Sequence, residues 1–133
     1  MTVKAKEHIE LAEAGKVMTD HMYAKIEKEA KKNWDLFYKV NKTNFYKDRH
    51  YIKFEFMEMA DRIANSPEGS VLTLLDAGCG VGNGLYPLLK EYEGHLKVHC
   101  CDFSPRAIDF VKNSERFNPD LISASVCDLV NDP

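Results

Sequence analysis

Four glycines in seven residues, Gly78, Gly80, Gly82 and Gly84, follow closely on Asp76, and a second acid, Asp102, stands 24 residues beyond Gly78. Glycine reaches positive φ without steric cost, and its missing Cβ lets a ligand lie against the main chain. The helix that follows such a turn offers unpaired N–H groups. A turn that only had to redirect the chain would not need so many glycines, because each one costs conformational entropy. A dinucleotide fingerprint requires G-x-G-x-x-G, and its third position holds Asn83 when counted from Gly78, or Leu85 when counted from Gly80. The pattern fails, and Asp76 beside the turn suits a cationic ligand better than a pyrophosphate. Asp102 stands where a second strand would end, a place from which a carboxylate accepts from both hydroxyls of a ribose. The alternative for Asp102 is a helix cap, although Ser104-Pro105 already supplies a cap and a first helical residue.

These residues need a strand, a turn and a helix in that order. The apolar run over 71–76 reads as a short buried strand, and Leu85 to Tyr92 as the helix after the turn. Lys97 to Phe103 reads as a second strand ending in Asp102. Pro105 to Arg116 reads as a helix burying Ala107, Ile108 and Val111, broken by Asn118-Pro119, and Leu121 to Leu129 as a third strand. Upstream, Thr19 or Asp20 caps a helix to about Lys39 with an apolar stripe of Met22, Tyr23, Ile26, Ala30, Trp34, Phe37 and Tyr38. Tyr51 to Ile63 continues as an amphipathic helix on Phe54, Phe56, Met57, Ala60 and Ile63, and residues 65–70 form a loop. The first sixteen residues are polar and weakly periodic, a frayed or partly helical tail. The expected organisation is a polar tail over 1–18, a helical basic and aromatic arm over 19–66, and an incomplete α/β domain over 67–133.

At 133 residues with 44% hydrophobic and 29% charged content, the chain has the composition of one modest soluble domain. It has no apolar stretch long enough to span a bilayer and no apolar signal core, so a cytosolic or nuclear location is expected. The four cysteines, Cys79, Cys100, Cys101 and Cys127, form no C-x-x-C pair and are expected to pack as small apolar residues in a reducing compartment. His95, His99, Cys100 and Cys101 do not make a metal site, because neighbours along a strand alternate faces. The net charge of −3 conceals a segregation of sign. Residues 25–53 carry nine Lys/Arg against four acids, whereas residues 54–133 carry six against thirteen. A basic arm on an acidic domain suits a polyanionic partner. Residues 41–50 interleave aromatics with cations, a composition for stacking on bases while pairing with phosphates.

The run of acid and alternating glycines, Asp76-x-Gly78-x-Gly80-x-Gly82, resembles the first motif of S-adenosylmethionine-dependent methyltransferases. Taken with 33–39 (Asn-Trp-Asp-Leu-Phe-Tyr-Lys), 45–50 (Phe-Tyr-Lys-Asp-Arg-His) and 101–107 (Cys-Asp-Phe-Ser-Pro-Arg-Ala), it resembles the methyltransferase-like family that makes 3-methylcytidine in tRNA. The likeness covers about residues 25–130. It implies a Rossmann-like class I methyltransferase fold, here the N-terminal half of a doubly wound parallel sheet preceded by a helical arm. S-adenosyl-L-methionine is the implied cofactor, with Asp76, Gly78 and Gly80 in the turn and Asp102 on the ribose. Asp128 is implied on the adenine amino group, Leu129 against the adenine ring, and Trp34 and Tyr38 closing over the cofactor. Lys47, Arg49 and His50 are implied contacts to the tRNA anticodon loop, and an aminoacyl-tRNA synthetase or another selectivity factor is a candidate partner. Neither a metal nor a membrane is implied.

All these motifs serve cofactor binding or the arm, so the residues that catalyse at the target base are not identified, and the chain is expected to be a truncated form. The first strand would then be a sheet edge, and the 133-residue chain would be marginally stable and unable to methylate tRNA alone. Two other functions fit less of the pattern: a class I methyltransferase acting on a protein or small molecule, and a non-catalytic fragment that binds cofactor or a partner.

Overall fold

The computed structural model describes residues 18–133. The tail expected over the first sixteen residues lies outside them. The chain divides into two compact units, one up to Lys31 and the other Lys32–Pro133. In the first, Thr19 opens helix α1 (Asp20–Asn41), its hydroxyl accepting from the Met22 N–H at 3.3 Å. Met22, Tyr23 and Ile26 on this stretch are exposed. The expected apolar stripe therefore finds a buried position in α1 only at Tyr38, in the second unit.

In that second unit α1 ends where Lys42 takes a positive φ of 52° and donates its N–H to the Tyr38 carbonyl at 2.8 Å, a left-handed cap without glycine. The single helix expected from Tyr51 to Ile63 is two, α2 (Ile52–Glu55) and α3 (Met57–Ala64), broken at Phe56 with φ −118° and ψ 64°. The break shifts the helical phase. Ile52, Met59 and Ile63 face the core, and Phe54, Phe56 and Met57, expected inside, are exposed.

From Leu72 onward the chain builds a parallel α/β unit, β1 (Leu72–Ala77), α4 (Leu85–Glu91), β2 (Leu96–Asp102), α5 (Pro105–Lys112) and β3 (Ile122–Val126). The strands pair in the order β1-β2-β3, with Asp76 opposite Cys100 and Asp102 opposite Val126. Parallel neighbours need a crossover, and α4 and α5 supply the two. Leu85, Leu88, Leu96, Val98, Ile108, Val111 and Ile122 form the centre of the core, joined by Cys79 and Cys100 in the apolar role expected of them. All four cysteines are free.

β1 is an edge strand among the described residues and is not buried on both faces. Thr73, Leu75 and Ala77 are exposed while Leu72, Leu74 and Asp76 are half-buried. Helix α5 stops at Lys112 rather than Arg116, because the Asn113 side-chain amide donates to the Asp109 carbonyl at 2.8 Å and its own N–H closes the last turn. β3 stops at Val126, three residues earlier than expected, where Asp128 begins a turn of its own.

Candidate functional site

The turn after β1 is shaped by three glycines with positive φ: Gly78 at 72°, Gly80 at 55° and Gly82 at 92°. Two of them also accept a close approach. A Cβ on Gly82 would stand 2.5 Å from the Tyr86 ring, and one on Gly80 would stand 2.9 Å from the Tyr38 hydroxyl. The turn is fastened to β2 by the Gly78 and Cys79 N–H groups, which donate to the Cys101 carbonyl at 2.8 and 3.0 Å.

Asp102 completes this fastening from its buried position at the end of β2. One carboxylate oxygen accepts from the Gly80 N–H at 2.9 Å, and the other from the Ser104 N–H at 2.9 Å. A carboxylate has about four lone-pair sites, so each oxygen keeps a free position. Ser104, fully buried, is the N-cap of α5 and accepts from the Ala107 N–H. Asp102 is thus a preorganised acceptor as well as a brace for the turn.

A cleft of about 940 Å³ opens at this point, lined by Trp34, Tyr38, Arg49, Asp76, Gly78, Gly80 and Asp102 among others. Burial, partly offset by the positive charge of Arg49, holds the Asp76 carboxyl above its ordinary pKa. It accepts no hydrogen bond from the described residues, so it is a partly desolvated anion without a full set of partners. Burial first, and the charge of Asp102 second, push the Tyr38 hydroxyl up to about 12, so it stays protonated and able to donate. Its ring stacks at 6.1 Å on Trp34 and meets Phe37 edge-on at 5.4 Å.

The aromatic and basic segment packs back on this cluster. Phe45 meets Phe37 at 4.9 Å, Arg49 lies 5.8 Å over the Tyr46 ring, and the Arg49 N–H donates to the Asn83 carbonyl at 2.7 Å. Asp48 forms an ion pair with Arg116 at 2.7 Å, and Arg116 covers the Tyr86 ring at 4.3 Å. Among the described residues no three His, Cys, Asp or Glu side chains are grouped to hold a metal, and no helix is long and apolar enough to cross a membrane.

This arrangement has relatives. The chain is 54% identical over 108 residues to the tRNA N(3)-cytidine methyltransferase METTL6 of Rattus norvegicus, covering 81% of this chain and 37% of that one. It is 48% identical over 115 residues to the tRNA N(3)-methylcytidine methyltransferase trm141 of Schizosaccharomyces pombe, covering 86% of this chain and 44% of that one. Over most of its own length the chain is thus similar to tRNA N(3)-cytidine methyltransferases. It spans about two-fifths of the length of these curated relatives. No family model matches it. In three dimensions it resembles a crystal structure described as a SAM-dependent methyltransferase from Anabaena variabilis ATCC 29413. The TM-score is 0.50 at 18% identity, over 74% of this chain and 39% of that one, a likeness that shows the α/β fold.

Of the residues that the family resemblance assigns to the cofactor, six line the one cleft: Trp34, Tyr38, Asp76, Gly78, Gly80 and Asp102. Asp128 and Leu129 do not. Asp128 accepts from the Val130 and Asn131 N–H groups at 3.1 and 3.2 Å and from the Asn131 amide at 2.8 Å, and Leu129 is exposed. Of the three residues expected at the tRNA, Lys47 and His50 are exposed outside the cleft, whereas Arg49 lines it. One residue that the sequence did not single out is Asp35, which accepts from the Ser104 hydroxyl at 2.9 Å and from Arg106 Nε at 2.8 Å. Its only local signal is a place one residue after Trp34 and three before Tyr38.

Proposed function

We propose that this chain carries the cofactor-binding part of an S-adenosylmethionine-dependent enzyme that methylates N3 of cytidine in the anticodon loop of tRNA. The observation that carries the reading is the convergence of Trp34, Tyr38, Asp76, Gly80 and Asp102 on one cleft in a chain similar to these enzymes. The donor set suits the cofactor: Asp102 keeps acceptor positions for a ribose diol, Asp76 is an under-partnered anion for a cationic amino acid part, and the glycines admit close approach. When bound, S-adenosylmethionine supplies an electrophilic methyl group.

What the chain's own residues contribute is placement and dryness. Neutral cytosine carries a lone pair on N3, so the transfer needs no strong general base, and catalysis rests on alignment and exclusion of water. Trp34 and Tyr38 cover the cleft from α1. N3 lies on the Watson–Crick edge, so the target nucleotide is unpaired or splayed from its stack. Lys47 and His50 stand outside, Lys47 as a cation for tRNA phosphates and His50 as a polar contact, and Arg49 bridges that surface and the cleft. Asp128 and Leu129 would hold the adenine from the turn that follows β3. A synthetase or other selectivity factor would choose among tRNAs, in the cytosol or nucleus.

The test is calorimetric titration with S-adenosylmethionine, filter binding of unmodified tRNA, and a methyl-transfer assay on the chain and on a longer family member. Binding of cofactor and tRNA together supports the reading. Cofactor binding with no tRNA affinity in either protein redirects it to a methyltransferase with a protein or small-molecule substrate. Binding without transfer by the chain, when the longer protein transfers, makes the chain a binding fragment.

A further inference from the structure

Between Trp34 and Tyr38, the two aromatics that α1 lends to the cleft, lies an acid that does not line it. Asp35 reaches across 69 residues to the start of α5, where Ser104 Oγ donates to it at 2.9 Å, the Arg106 N–H at 3.3 Å and Arg106 Nε at 2.8 Å. The same Ser104 donates its N–H to Asp102, which in turn holds the Gly80 N–H. A continuous polar path thus runs Asp35, Ser104, Asp102, Gly80, and Tyr38 ends it from the other side with its hydroxyl over Gly80. Trp34 is 41% exposed, so burial alone holds its ring weakly.

We propose that Asp35 is a positioning residue: by fastening α1 to Ser104 and Arg106 it holds Trp34 and Tyr38 over the glycine turn and Asp102. The competing account is that the apolar cluster of Tyr38, Val81 and Ala107 does this unaided, leaving Asp35 as a cap for α5. The geometry favours Asp35. Its partner Ser104 has no exposed surface, and an acceptor that leaves a buried hydroxyl unpaired costs more than the bond itself is worth. At positions 34, 35 and 38 the two aromatics and the acid share one side of the helix, so a tether at Asp35 sets the rotation of both rings.

The binding half of the test rests on the cofactor reading above; the fluorescence half does not. Trp34 is the only tryptophan in the sequence, so acrylamide quenching of the whole chain reports its cover directly. Asp35→Ala should raise the quenching constant about twofold as the helix end opens locally. It should also weaken S-adenosylmethionine about tenfold in calorimetry, the equivalent of one charge-assisted hydrogen bond. Asp35→Asn keeps an acceptor for Ser104 and should recover part of both losses. Arg106→Ala leaves the Ser104 bond and should change both by less than Asp35→Ala. An Asp35→Ala chain that unfolds at a lower temperature but matches the parent in quenching and affinity overturns the proposal, because that is the behaviour of a cap. Should Asp35→Ala not fold, the near-isosteric Asp35→Leu, which also removes both acceptors, takes its place, and quenching and affinity equal to the parent in that variant overturn the proposal just as well. If no form binds cofactor, the cofactor reading fails, and the quenching series alone decides whether Asp35 positions Trp34.

Discussion

Two parallel strands bring an acid to the same end of the sheet, and the fold treats the two acids differently. Asp102 at the end of β2 is buried and gripped by main-chain N–H groups from Gly80, 22 residues away, and from Ser104. Asp128 after β3 hydrogen-bonds within its own turn, beside Leu129 and Val130 at 61% and 89% exposure. The first is held by N–H groups from two elements, so a ligand meets an acceptor already aimed. The second is occupied by groups of its own turn. Preorganisation of an acid depends on what grips it from a distance and not on its place at a strand end.

The largest effect should come from breaking the frame around Asp102. Gly82→Ala combines a φ of 92° with a Cβ 2.5 Å from the Tyr86 ring, and should lower stability by about 3 kcal/mol or more in urea unfolding. Gly78→Ala meets strain without a neighbour within 4 Å and should cost about 1 to 2 kcal/mol. Equal losses would show that the Tyr86 contact yields easily.

The acids themselves come next. Asp102→Ala should weaken S-adenosylmethionine by about 2 to 3 kcal/mol, as a buried charge-assisted acceptor does. Asp128→Ala should cost at most about 1 kcal/mol, since that acid is already engaged. Calorimetry on the two variants decides, and matching losses would erase the distinction drawn between them.

Asp76 sharpens the contrast through pH. Burial raises its folded pKa above 3.8, so its contribution to stability is fully present below that pH and is lost as pH rises through the folded value. Asp76→Asn should therefore stabilise the ligand-free chain at neutral pH, with the gain vanishing towards pH 4. A bound cation favours the ionised form, so cofactor affinity should fall as the solution is acidified into that window. The same variant should weaken the cofactor about tenfold at pH 7. A gain in stability that persisted at low pH would remove desolvation as the cause.

The smallest effect separates Lys47 from Arg49. Replacing either by Ala should reduce the log–log salt slope of tRNA binding by just under about 1 if each meets a phosphate. Only Arg49→Ala should also alter cofactor affinity, because Arg49 alone of the two lines the cleft. A Lys47→Ala chain with altered cofactor binding would mean that the two faces are not separate.

Much of this was legible from local pattern. The alternation of apolar runs with glycine, Ser-Pro and Asn-Pro punctuation placed three strands and their crossover helices within a few residues, because strand and helix periods and caps are properties of neighbours in sequence. The break at Phe56 was not legible: an amphipathic pattern tolerates a one-residue phase shift, and packing against Met59 and Ile63 selected the face. The early end of β3 came from Asp128 taking its own turn, a competition between side chain and ladder that composition does not rank.

By itself the sequence picked out candidate residues for a cationic, ribose-bearing ligand and marked where the glycines must sit, since only glycine fits positive φ beside Tyr38 and Tyr86. Tertiary structure alone decided which acid is locked, that Arg49 lines the cleft while Lys47 and His50 do not, and that Asp35 finds Ser104. Those outcomes join residues tens of positions apart, and no local period or cap records which distant donor will arrive once the strands have paired.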